Sequence, residues 1–296
     1  MELGKDNSSS VILEGYDYRS STSDLLENTM HVKSLDNDYI FRIPARGSWI
    51  QVIGVTPGQI ITEKRILQAK SYDGFAVADP RRDIAKLAVI ERHHKTGNVG
   101  LGFVQGLGIE KGAIVSSVAH DSHNLVVAGM SDSDMLVAAR YICSIGGGLA
   151  VAYNGQIIAN LSLPIAGLMS DKPIELVIAN LKTVNEACKI LGNNVIRDLF
   201  MLLSFLTLSV IPSLKLTDKG LLDIEKFQLT NLWYNISCYC ECCSVSLSIV
   251  ERRITNCRLC VILNTMQLST PTKEVIVHVE ENLRQLAAAL AQQIDR

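Results

Sequence analysis

Beyond Trp49 the apolar positions fall in short β-branched runs: Ile50–Val55, Ile60–Ala69, Gly74–Ala78 and Ile84–Glu91. Pro57-Gly58, Asp73-Gly74 and Asp79-Pro80 break the pattern between them, and runs of this length between turn formers predict strands. Ala113–Ala119 and Leu125–Ala128 read the same way, on either side of five consecutive polar residues, His120 to Asn124. The period then changes. Met135, Leu136, Ala139 and Ile142 recur at helical spacing, which predicts a helix over Asp132–Ile145, capped by Ser131 or Ser133 and stopped at Gly146. Leu149–Tyr153 and Gln156–Leu161 flank Asn154-Gly155, the dipeptide of a two-residue hairpin turn. A second helix is expected over Ile174–Leu191, opened by Asp171-Lys172-Pro173 and closed by Gly192. Its apolar positions Leu176, Val177, Leu181, Val184, Ala187 and Cys188 trace one face. The last strand or strands of the domain are placed within Phe200–Ile211. Many strands with two interspersed helices predict an α+β layered domain of mixed β-sheet.

The polar box His120-Asp121-Ser122-His123-Asn124 is the first candidate for chemistry. Asp, Ser and Asn are common turn formers, so the box is readable as a plain polar turn. Two imidazoles beside a carboxylate at a strand end also suit a binding or catalytic loop, since together they donate, accept and titrate near neutrality. Arg92, His93 and His94 form a second polar cluster after an apolar strand, readable equally as a solvated strand end. Met169, Ser170 and Asp171 read as a strand end and a helix cap. The glycines Gly97, Gly100, Gly102, Gly106 and Gly108 contain no GxGxxG after a strand and no lysine-hydroxyl pair, so tight backbone turns explain them better than a phosphate loop.

The box does not stand alone. It accompanies ERHHKTGNVGLGFVQGLG at Glu91–Gly108, LPIAGLMSD at Leu163–Asp171 and VIPSLKLTDKGLLD at Val210–Asp223. FRIPA at Phe41–Ala45, VIGVTPGQIIT at Val52–Thr62 and GGGLAV at Gly146–Val151 complete the set. These motifs, in this order, resemble the C-terminal domain of bacterial and archaeal adenine deaminases, from about His31 to about Leu232. The resemblance implies hydrolysis of adenine to hypoxanthine and ammonia in purine salvage. It implies manganese or iron held in an N-terminal amidohydrolase barrel, whose first strand supplies a His-x-His pair. This sequence contains no such pair, and its histidines, His31, His93, His94, His120, His123 and His278, do not reproduce that ligand set. The resemblance therefore casts His120, Asp121 and His123 as accessory catalytic residues presented to a barrel. Asn124, Ser122, His93, His94, Met169 and Asp171 become candidate substrate contacts. The partners it implies are adenine, and a barrel half or further copies of the chain.

Composition narrows the classes. The 296-residue chain is 48% hydrophobic and 20% charged, enough apolar material for a real core. A net charge of −2 gives no electrostatic case for nucleic acid or an anionic membrane. The start lacks a secretory signal, and the most apolar stretch, Leu199–Ile211, is shorter than the ~20 residues of a membrane helix. The expectation is a cytoplasmic protein. Residues 1–30, rich in Ser, Asp, Asn and Gly, read as a flexible lead or linker remnant, and the domain is placed at 31–232. The tail, 233–296, is cysteine-rich: Cys240, Cys243, Cys257 and Cys260 have near-ribbon spacing and could form a structural zinc site, with Cys238 and Cys242 surplus. Lys273–Ile294 then reads as a terminal amphipathic helix, alone or after a strand. Two functions remain open: the accessory part of an adenine deaminase, or a non-catalytic purine-binding or assembly module derived from one.

Overall fold

In a computed structural model of the protein, the strand-forming runs assemble mainly into one eight-stranded sheet. The structure describes residues 28–33, 35–194 and 196–234, with the backbone of 237–240 and 245–248. A short strand β1 (Ile43–Pro44) precedes the hairpin of β2 (Trp49–Val55) and β3 (Thr62–Gln68). β4 (Ser71–Tyr72) and β5 (Phe75–Ala76) join β1 in a small antiparallel sheet. β6 (Ile84–Ile90), β7 (Val99–Gln105), β8 (Ala113–Ser116), β9 (Leu125–Gly129), β10 (Gly148–Tyr153) and β11 (Gln156–Ser162) complete the large sheet. Its order is β11-β10-β8-β9-β6-β7-β2-β3, antiparallel throughout except where β2 runs parallel to β7.

Both faces are covered over the central strands, which is why those strands read as continuous apolar runs, whereas the edge strands β3 and β11 are partly exposed. Every residue of β6 is buried: Ala85, Leu87 and Val89 enter one core, Ala88 and Ile90 another. Helix α1 (Asp132–Ser144) closes the second face with Met135, Leu136, Ala138, Ala139 and Ile142. Helices α2 (Ile174–Ile190) and α3 (Leu199–Phe205) close the first, together with the hairpin of β12 (Leu214–Thr217) and β13 (Gly220–Asp223). β14 (Gln228–Leu229) extends that hairpin. In a second unit, residues 235–296, β15 (Ser237–Cys240) pairs antiparallel with β16 (Val245–Ser248).

Local signals explain most boundaries. The Ser131 hydroxyl accepts from the Asp134 N–H and caps α1, as expected from the sequence. Asn154 and Gly155 both have positive φ, 52° and 75°, which is the primed turn that the β10–β11 hairpin needs. Gly97, Gly106 and Gly108 also turn with positive φ, but Gly100 is needed for another reason. A Cβ there would fall 1.8 Å from the Thr217 carbonyl oxygen, so β7 and the β12–β13 hairpin touch only through glycine.

Other expectations change. The sequence places strands within Phe200–Ile211, whereas the chain forms α3 there. Asp198 accepts from the Met201 N–H and starts the helix; Leu199, Leu202 and Leu203 face inward while Met201 is exposed. An apolar run this short is ambiguous by periodicity, and the cap decides it. Asp171 does not cap α2: its carboxylate holds Lys172 at 2.9 Å, and the cap residue is Pro173, which makes no side-chain bond. Leu176 and Leu181 are exposed: α2 docks mainly through its second half, by Val184, Ala187 and Cys188, with Val177 the first-half residue packed on the core. The side chains proposed for zinc, Cys240, Cys243, Cys257 and Cys260, and the helix expected within Lys273–Ile294 lie outside the described residues.

Candidate functional site

One end of the large sheet collects the polar segments. Ile90 pairs with Leu125, Ser116 with both Val126 and Leu149, and Gly148 with Ser162. β6, β8 and β11 therefore leave the sheet where β9 and β10 enter it. The segments that follow β6, link β8 to β9 and follow β11 meet at this end.

Arg92 ties them together. Only 1% of it is exposed, and its Nε donates to the His123 carbonyl. One terminal nitrogen donates to the Ala166 carbonyl at 3.0 Å, and the other to the Thr29 carbonyl and hydroxyl at 3.3 and 3.1 Å. Its backbone N–H donates to Asn124 Oδ1 at 3.3 Å, and its carbonyl accepts from His31 at 2.8 Å. Ala166 and Gly167 reach Arg92 through positive φ, 57° and 71°, and a Cβ on Gly167 would lie 2.9 Å from a guanidinium nitrogen. The Ser117 hydroxyl completes the tie, donating to the Gly167 carbonyl at 2.6 Å and accepting from Gly148 at 2.7 Å.

The loop His120–Asn124 rests on this frame and on α3. His120 N–H donates to the Ser204 carbonyl at 3.2 Å, and the Thr207 hydroxyl donates to the His120 carbonyl at 3.0 Å. The His120 ring lies on the Phe205 ring, centroids 4.9 Å apart. His123 takes a left-handed φ of 49° and donates its N–H to the Ala119 carbonyl at 2.6 Å. Asn124 is buried, His120 and His123 are half-buried, and Asp121 and Ser122 face solvent. The two imidazole centroids are 6.4 Å apart.

Charge at the site follows from this geometry. Burial lowers the His123 pKa below the usual histidine value, and the Arg92 and His120 charges lower it further, with Asp121 acting the other way. His123 is thus a neutral imidazole at neutral pH, and its buried Nδ1 has no hydrogen-bond partner among the described residues. Burial acts upward on the Glu91 carboxyl, but the N–H groups of Thr96, His94 and His93 and the Thr96 hydroxyl outweigh it and hold the pKa at about 2. The carboxylate thereby folds the turn that carries His93, whose Nε2 lies 2.8 Å from the Ser122 carbonyl.

The structure brings His120, Asp121, Ser122, His123, Asn124 and His93 into one patch. His94 gives its N–H to Glu91, and its ring is tilted against that of His93, centroids 6.2 Å apart. Met169 and Asp171 make their contacts elsewhere, with Ile165 and Lys172. Of the residues that hold the patch together, Arg92 is visible in the sequence only as part of a polar cluster, and Glu91, Ala166 and Gly167 only as members of the family-like motifs. Their partners are mostly backbone groups. Among the described residues no three His, Cys, Asp or Glu side chains gather closely enough to hold a metal ion. They do not fit a manganese or iron centre, and the chemistry open to them is hydrogen bonding and proton exchange at a ligand's edge.

The described residues thus form an α+β domain that presents a preorganised polar loop at one end of its main sheet. The family model of the adenine deaminase C-terminal domain matches residues 59–228, and the chain belongs to that family. It is 54% identical over 217 residues to the adenine deaminase of Oleidesulfovibrio alaskensis, covering 73% of this chain and 38% of that protein. Adenine deaminase 2 of Carboxydothermus hydrogenoformans is 48% identical over 204 residues, 69% of this chain and 36% of the relative. The adenine deaminase of Methanothrix thermoacetophila is 46% identical over 202 residues, 68% and 35% respectively. The chain thus spans little more than a third of the length of these relatives.

Proposed function

We propose that this domain acts as the C-terminal part of an adenine deaminase, completing an active site whose metal ligands lie outside these residues. The observation that carries the reading is the Arg92 tie, which fastens the loop His120–Asn124 to two other family-like segments, the one after β6 and the one after β11. Converting adenine to hypoxanthine and ammonia needs an activated water and a proton source for the leaving amine. Manganese or iron in the remainder of the enzyme would supply the first, by lowering the pKa of a bound water toward ~7. The loop offers groups able to take up the proton that the activated water gives up and pass it to the leaving amine. Neutral His123 offers a donor and an acceptor, His120 sits beside it on Phe205, and Asp121 adds an exposed carboxylate. Ser122, Asn124 and His93 set the loop's shape at the purine edge. A cytoplasmic location belongs to the same proposal; among the described residues no helix is long and apolar enough to cross a membrane. No observation favours the non-catalytic alternative.

The test uses this chain alone and the full-length Oleidesulfovibrio alaskensis enzyme with its matched region replaced by this domain. The chain alone with manganese should release no ammonia from adenine. In the full-length protein, Asp121→Ala or His123→Ala should lower turnover by about 10–100-fold, with the melting temperature nearly unchanged. Unchanged turnover in both variants would overturn the role of the loop.

A further inference from the structure

Helix α2 carries more apolar surface than its own domain covers. Val184, Ala187, Cys188 and the following Leu191 are buried against the sheet's first core, on one side of the helix. In the first half, by contrast, Ile174 is 63% exposed, Ile178 47% and Leu181 37%. These three stand at i, i+4 and i+7, so they form a continuous stripe along one side. Advancing 100° per residue, the stripe falls between the core side and the side that carries Glu175, Lys182, Glu186 and Lys189. Leu176, also exposed, lies on the opposite flank of the core side. A helix that met only water would carry its charged residues where Ile174, Ile178 and Leu181 stand.

We propose that this stripe is a docking surface for the part of the family protein that lies outside the matched domain. Two observations select that occupant. The relatives continue for nearly two-thirds of their length beyond the matched region, so a large body remains to be seated. And α2 begins a few residues after Ala166, whose carbonyl holds Arg92 at the polar end of the sheet. The far end of α2 abuts Gly112, just before β8, so its first turns lie toward the end of the sheet that carries the loop His120–Asn124, where a body that reaches the loop would meet them. The inference rests on the proposed function only in identifying the seated body with the one the loop serves.

Hydroxyl-radical footprinting with peptide mass spectrometry tests this without altering either protein. The side chains of the Ile174–Leu181 peptide are compared between this chain and the aligned peptide of the full-length Oleidesulfovibrio alaskensis adenine deaminase. In this chain the peptide should be labelled freely and sedimentation should show a monomer. In the full-length protein labelling should fall by about tenfold or more, as for a buried surface. Equal labelling in the two proteins overturns the docking surface. Protection in this chain overturns the stated occupant, in favour of a second copy if the chain sediments as a dimer and of its own tail if it is monomeric. The outcome is separable from the function test: a protected helix with turnover indifferent to Asp121→Ala keeps the docking surface and removes the role of the loop.

Discussion

Replacing Arg92 by methionine keeps a long side chain in place while withdrawing every N–H that reaches His123, Ala166 and Thr29. The carbonyls freed in this way lie around a buried residue, and each one left without a donor costs about 1–3 kcal/mol. Arg92→Met should therefore lower the thermal midpoint by several degrees, and Arg92→Lys by less, because an ammonium satisfies only part of the fork. Equal midpoints for wild type and Arg92→Met would mean that water replaces the guanidinium. Glu91 makes a separate prediction about pH. Its folded pKa, about 2, is below the ordinary 4.5, so it contributes stability above pH 4.5 that is lost as pH falls toward 2. Glu91→Gln should flatten the stability curve in that window and leave it parallel to wild type above pH 5. A slope unchanged by the substitution would assign acid sensitivity to other carboxyls. At this scale the sequence reveals the loop, because five polar residues interrupt two apolar strands. Arg92 is hidden as a hub because its acceptors are mostly main-chain carbonyls, which leave no mark in a sequence.

At the scale of the element, legibility follows the strength of local chemistry. The β10–β11 hairpin and α1 are readable because Asn154-Gly155 favours a left-handed backbone that few other residues adopt and the Ser131 hydroxyl caps the first turn. α3 is not, since Leu199–Phe205 is almost uniformly apolar and only Asp198, reaching back to the Met201 N–H, distinguishes helix from strand. The first half of α2 misleads in a different way: its periodicity is right for a helix, but the domain buries mainly the second half. The hairpin allows a clean measurement. Nothing lies within 4 Å of a Cβ built on Gly155, so Gly155→Ala tests backbone strain alone. A left-handed alanine should cost about 1 kcal/mol, read by urea unfolding, whereas Gly155→Asn should cost less. Identical midpoints for the two variants would show that the turn relaxes into another type.

For the whole molecule the question is where the fold ends. The family match stops at residue 228, yet the chain goes on building structure beyond it. β2 is paired along its full length with β3, but on its other side β7 reaches only Ile53 and Gly54. Residues 230–234 fill the gap left beside the start of β2. Gln51 N–H donates to the Leu232 carbonyl at 2.8 Å, Tyr234 N–H donates to the Trp49 carbonyl at 2.9 Å, and Trp233 bridges to Ile50. The Gln51 side chain adds bonds to Thr230 and Asn231, and Trp233 and Leu232 cover the core formed by Ile43, Ile50, Val52 and Phe103. A chain ending at Tyr234 should thus keep its cooperative unfolding transition. A chain ending at Gln228 leaves the Gln51 N–H and the Trp49 carbonyl unpaired and uncovers that core. Lost hydrogen bonds at ~1 kcal/mol each, with the burial of one large aromatic, predict a deficit of roughly 3 kcal/mol or more. Calorimetry of the two chains decides the matter. Equal midpoints would place the boundary at the end of the family match, and a destabilised chain ending at Tyr234 would place it further into the tail.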